Sequence, residues 1–168
     1  DSDVRAFENH GLITSGCGAK PVLPEKAHLI VTSEYGISFS DLQFAVVRML
    51  QENTLYQKYG GIHTAALSTR DDFLLAEDVG RHNAQDKVTG IAQELAIDLR
   101  HSVILSTGRI SSDMVAKAIF AGVPILASLS LPTTLARDLA HRYGVTLVGR
   151  AGKTPPMVIT HPERIIED

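Results

Sequence analysis

Between residues 102 and 149 short apolar runs alternate with stretches of helical length, and no other feature restricts the fold as much. "SVILSTG", "VPILASLS" and "VTLVG" are too short and too rich in Val, Ile and Leu to be anything but strands. Between them, the segment from Ser111 to Phe120 and the one opened by Pro132 have the length and pattern of helices. Apolar runs without strict alternation belong to strands covered on both faces, and strands joined through helices belong to parallel crossovers. The expectation is an α/β chain with a mixed, mostly parallel sheet covered by helices.

The rest of the chain fills in around this rhythm. Ser40 with Gln43 has the pattern of a capping box, after which Leu42, Val46, Met49 and Leu50 share one helical face, so a helix of about sixteen residues is expected before Gly60 and Gly61. "HTAALST" and "FLLAEDV" around "RDD" form a hairpin pattern, and "HNAQDKVTGIAQELAIDL" is helical. Residues 1–38 read as a loop-rich segment with an edge strand at "HLIVTS", and residues 39–168 as the α/β unit. With 168 residues and 44% hydrophobic content, one domain with a real core is expected. The chain begins at Asp1 rather than Met, which fits an excised piece of a longer polypeptide lacking an upstream domain.

Charge narrows the function classes. Sixteen Lys and Arg against nineteen Asp and Glu leave a net charge of -3, so no broad basic field suggests nucleic acid or a membrane surface as partner. No apolar window is long enough for a membrane span, and a single cysteine makes no internal disulfide, which points to the cytoplasm.

Polar residues crowd the places where strands end and helices begin, where α/β folds bind ligands. "EDVGRHNAQDK" brings Gly80, Arg81, His82 and Asn83; "STGRISSDMVAK" brings Gly108, Arg109 and Ser111; "SLSLPTTLA" brings Ser130, Thr133 and Thr134. Glycine admits a close backbone approach, arginine offers a forked donor to phosphate, and helix N-termini attract anions. Each feature also has a structural reading. Ser111 and Thr133 suit helix caps, Glu77, Asp78, Arg81, Asp86 and Lys87 suit an ion-pair network, and His63 and His82 suit buried structural histidines. A phosphate-bearing ligand is the common cause that would explain all three strand ends at once.

The lone cysteine lies in "LITSGCGAK", where Ser15, Gly16 and Gly18 build no apolar wall around Cys17. An exposed thiol in a glycine-rich loop suits sulfur chemistry, in which a thiolate attacks and the product must reach a second partner.

"GGIHTAAL", "EDVGRHNAQDK", "STGRISSDMVAKA", "SLSLPTTLARDLA", "GVTLVG" and "THPERI", in this order, resemble the formate dehydrogenase accessory family, FdhD, from about Gly11 to Arg164. The resemblance implies a cytidine-deaminase-like three-layer sandwich, preceded in the family by a smaller N-terminal domain. It also implies a sulfur carrier. Such a protein takes persulfide sulfur from a cysteine desulfurase on a loop cysteine, here Cys17, and passes it to the molybdenum cofactor in its bis-guanine-dinucleotide form. The receiving enzyme is formate dehydrogenase. Many members carry C-x-x-C in this loop, whereas "CGAK" places Lys20 at the second position, where its charge would favour the Cys17 thiolate. The cofactor segment of the family falls on Arg150, Ala151, Gly152, Lys153, Thr154 and Pro155; as sequence, it equally suits a basic surface loop. Two other classes remain to be weighed. A guanine-nucleotide-binding module, taking GDP or the cofactor without sulfur chemistry, would not need Cys17. A zinc deaminase needs a C-x-x-C pair besides its first ligand, and "HTA" at residues 63–65 with one cysteine does not assemble that site. A symmetric homodimer is the default expectation for association.

Overall fold

The computed structural model describes residues 29–168, so Cys17 and Lys20, with most of the expected loop-rich segment, lie outside the described residues. The elements run β1 (Ile37–Ser38), α1 (Phe39–Glu52), α2 (Thr54–Tyr59), β2 (His63–Ser68), β3 (Phe73–Asp78), α3 (Arg81–Glu94), β4 (Val103–Ser106) and α4 (Ser112–Ala121). Then come β5 (Ile125–Ser128), α5 (Thr134–Tyr143), β6 (Thr146–Gly149), β7 (Met157–Thr160) and β8 (Ile165–Ile166). Six strands form one sheet in the order β3-β2-β4-β5-β6-β7, and β1 pairs β8 apart from it.

Within the six-stranded sheet parallel pairing is confined to the centre, β4 with β5 and β5 with β6, where helices α4 and α5 make the crossovers; the small β1–β8 pair is parallel as well. The hairpin at one side and β7 at the other add antiparallel strands. Because β2 is antiparallel to both its neighbours, β3 ends at the same edge of the sheet as β4. All the strand ends that carry the polar motifs therefore face one way.

The sheet separates two apolar layers, and the pleat sorts the side chains between them. Ile104, Leu126 and Leu147 meet Val88 of α3, Met114 and Val115 of α4 and Ala136 and Ala140 of α5. Their neighbours Val103, Leu105, Ile125, Ala127 and Val148 meet Leu42, Ala45, Val46 and Met49 of α1. Full burial of such a side chain contributes roughly 1.5 to 3 kcal/mol. The strand rhythm predicts a sheet covered by helices, and the three layers are those the family resemblance implies.

Three local expectations are corrected. The cap of α1 is Ser38, whose Oγ accepts from the Asp41 N–H at 3.0 Å; Ser40 instead donates its N–H to Asp168, and Gln43 reaches across to the Ala151 carbonyl at 2.7 Å. The expected sixteen-residue helix is divided at Asn53, and Leu50, placed on the buried face by its spacing, is 39% exposed while Ala45 is buried. "HLIVTS" supplies no strand within the described residues. Val31 is tied to Tyr143 by one backbone bond, and Arg164 fixes this stretch by donating to the carbonyls of Val31, Ser33 and Gly144 and to Thr146 Oγ1. A Cβ on Gly144 would stand 2.6 Å from the Val31 carbonyl, and its φ of 77° is left-handed, so both packing and backbone call for glycine there.

Candidate functional site

The rim where β3, β4, β5 and β6 end is built mostly from backbone, held by short polar side chains. Thr107 N–H donates to the Thr64 carbonyl, Leu129 N–H to Ser106, Thr133 N–H to Ile110, Arg150 N–H to Ser130 and Ala151 N–H to Ser128. The loops after adjacent strands are thus laced to one another rather than free.

Arg81 opens α3 and lays its stem over Gly108. A Cβ on Gly108 would come within 2.9 Å of Arg81 Cδ and 3.2 Å of His63 Nδ1, so only glycine lets the two motifs meet. The Arg81 Nε is buried with no hydrogen-bond partner among the described residues. Buried donors are nearly always satisfied, and an orphaned one needs an explanation. Burial, and then the Arg81 charge, depress the His63 pKa. The same two causes, with Lys117 next, depress that of His82, although Asp113 and Asp86 pull the other way. Both imidazoles therefore favour the neutral form, and they leave the positive charge of this corner to arginine.

His82 is nine-tenths buried and shares a 2.7 Å hydrogen bond with Ser111 Oγ, linking the starts of α3 and α4. Ser111 also caps α4 by accepting from Met114 N–H, and Thr133 caps α5 by accepting from Ala136 N–H. The structural reading of both hydroxyls holds. Asn83 and Asp78 are likewise engaged locally: Asp78 accepts from Lys87 first, then from Gly80 N–H and Asn83 Nδ2, which together lower its carboxyl pKa to about 2. Glu77 accepts from the Leu55 and Tyr56 N–H groups and so caps α2. Of the "EDVGRHN" stretch, Arg81 is the charged group left facing the rim without an ion pair.

Arg109, Arg150 and Lys153 are exposed, and none of them pairs with a carboxylate among the described residues. Ala151 is buried in the α1 layer and offers no surface to a ligand. Gly152 packs close to Leu129, and Thr154 and Pro155 are joined by a cis peptide in the exposed turn that follows. A pocket of about 300 Å³ lies between Asn53, Tyr56, Ile62, His63, Thr107 and Leu129. A wider hollow of about 700 Å³ lies between Leu129, Arg150, Lys153 and Pro155. Leu129 lines both, so the two hollows adjoin across one side chain, with His63, which lies against Gly108 beside Arg81, on the far wall of the first. Sequence reasoning did not single out Ser106, Ser128, Asn53 or Leu129, which look like strand ends and a helix break until the rim is assembled.

The FdhD/NarQ family model matches residues 2–166. The chain belongs to the FdhD/NarQ family. A sulfur carrier protein FdhD from Methanothermobacter thermautotrophicus is 40% identical over 136 residues, covering 81% of this chain and 55% of that relative. The protein of the same name from Staphylococcus aureus is 36% identical over 166 residues, covering 96% of this chain and 63% of its own. The crystal structure of a protein from Desulfotalea psychrophila described as a formate dehydrogenase accessory protein superposes with a TM-score of 0.73 at 34% identity, over 80% of this chain and 58% of that one. This chain therefore spans less than two thirds of each of these FdhD-family proteins. A mutant of NE0047 solved with 8-azaguanine matches with a TM-score of 0.52 at 14% identity, over 80% of this chain and 90% of that one, and shows the fold alone. The three-layer sandwich expected from the resemblance is the fold observed. No described helix is long and apolar enough to cross a membrane.

Proposed function

We propose that this chain is the sulfur-carrying part of a cytoplasmic sulfurtransferase that matures formate dehydrogenase. Cys17 receives sulfur from a cysteine desulfurase: its thiolate attacks the outer sulfur of the donor persulfide, the donor cysteine leaves as thiolate, and Cys17 becomes the persulfide. The cargo is the molybdenum cofactor in its bis-guanine-dinucleotide form, held at the rim with Arg81, Arg109, Arg150 and Lys153 against its phosphates. Membership of the family over residues 2–166, with relatives named as sulfur carriers, is the observation that carries the reading. The buried, unpartnered Nε of Arg81 supports the cofactor side.

The test is mass spectrometry after incubation with a desulfurase and cysteine. A gain of one sulfur atom, removed by a thiol reductant and absent in Cys17→Ser, is the expected result. A second reading, a module that binds a guanine nucleotide without sulfur chemistry, is favoured by the same unpaired cations. It takes over if the wild type gains no sulfur yet binds GDP in calorimetry.

A further inference from the structure

We infer that Ser106 and Ser128 are positioning residues that join the Arg81 corner and the 150–153 loop into one anion site, an inference that rests on the cofactor reading of the rim. The two serines end β4 and β5 and face each other in register. They are 3% and 1% exposed, so neither hydroxyl reaches a ligand itself. Both instead grip a single residue. The Gly108 N–H donates to Ser106 Oγ at 3.1 Å, and Ser128 Oγ donates to the Gly108 carbonyl at 2.6 Å.

Gly108 is the floor on which the Arg81 stem lies. With its peptides fixed from both sides, the stem has one bed, and the guanidinium is aimed before any ligand arrives. Ser128 reaches the other half of the rim as well: its Oγ accepts from Ser130 N–H at 2.9 Å, its carbonyl accepts from Ala151 N–H at 2.8 Å, and the Ser130 carbonyl accepts from Arg150 N–H at 3.0 Å. One buried hydroxyl thus stands between the two cationic segments. A strand end needs no such group for its own pairing, and alanine would fit the volume. What alanine would lose is the bond across to Gly108 and the acceptor for the Ser130 N–H, leaving a carbonyl and an N–H without those partners.

Calorimetry with GDP on the intact chain tests this, using Ser128→Ala, Ser106→Ala, Arg81→Ala and the Ser128→Ala/Arg81→Ala pair. Ser128→Ala is expected to weaken GDP about tenfold, on the scale of a lost buried hydrogen bond. In the Arg81→Ala background the same change is expected to cost less, about threefold, because only the share that runs through Ser130 to the 150–153 loop is left. Fully additive losses, or an unchanged affinity in a folded Ser128→Ala protein, would overturn the inference. Thermal midpoints identify a variant that does not fold, in which case Ser106→Ala carries the same cycle. If Arg81→Ala weakens GDP and neither serine does, the rim reading stands and the positioning role falls; a wild type that takes no GDP removes both.

Discussion

Where β4, β5 and β6 begin, Arg100 is held by both carboxylate oxygens of Asp98, and Arg164 is buried against three carbonyls and a hydroxyl. Where the same strands finish, Arg81, Arg109, Arg150 and Lys153 have no carboxylate partner among the described residues, and Arg81 keeps a buried donor unused. Arg100 and Arg164 act within the fold, one closing a turn and the other fastening the segment from Val31 to Ser33. Among the rim cations Arg81 is held by packing on Gly108, Arg109, Arg150 and Lys153 stand exposed, and the charge of all four is left over. A cation whose bonds are complete in the folded chain contributes to stability, and one positioned but unpaired is available to an external anion.

The contrast can be broken in order of expected effect. Arg164→Ala strands several buried acceptors, so a loss of about 3 kcal/mol in denaturant unfolding is expected, with GDP affinity unchanged in the folded fraction. Arg81→Ala is expected to show the reverse: an affinity loss of about 1.5 to 3 kcal/mol by calorimetry and little change in unfolding. Equal behaviour of the two variants would erase the distinction. Ser111→Ala removes the α4 cap and the partner of His82, and unfolding is expected to report about 1 kcal/mol.

A weaker effect follows from pH. Because the folded state depresses the pKa of His63 and His82, the unfolded chain binds more protons just below the usual histidine value of 6.5. Their contribution to stability is therefore complete above that value and declines as pH falls through it towards the lowered folded values. Denaturant midpoints between pH 7.5 and 5.5 are expected to fall, and a His82→Gln variant is expected to flatten the slope; an unchanged slope would assign the effect elsewhere. The smallest change is expected for Arg100→Ala. Its ion pair is solvent-exposed, so both the GDP affinity and the unfolding midpoint are expected to stay within error.

The strands were the legible part of this sequence, since β4, β5 and β6 are buried on both faces and show as apolar runs whatever lies around them. The hairpin was legible for a related reason: two apolar runs flank a polar turn, where Thr69 Oγ1 accepts from the Asp71 and Asp72 N–H groups. Caps and helix breaks were less so. Ser40 has the residue type of a cap, but α1 starts at Phe39, so Ser38 Oγ takes that role while the Ser40 N–H is taken up by Asp168. The break at Asn53 depends on Glu77, which caps α2 from another strand. Leu50 shows the limit of periodicity: its spacing matches the buried face of α1, but it lines the hollow beside Tyr56, Ile62 and Leu129 and stays 39% exposed.

For the candidate site, the residue types were determined by the sequence alone: glycines, arginines and hydroxyls follow successive strands, and the motifs identify the family. Their division of labour was decided only in three dimensions. Asn83 looks like a ligand group until it is seen donating to Asp78, and of the expected ion-pair network Asp78 does pair with Lys87 whereas Glu77 turns to the start of α2. Ser106 and Ser128 look like ordinary strand ends until both are found on Gly108. The physical reason is that a hydrogen bond has one donor for each acceptor site, so whether a polar side chain is free for a ligand depends on neighbours distant in sequence. Chain order fixes which groups are available to a fold, and packing fixes which of them remain unpartnered.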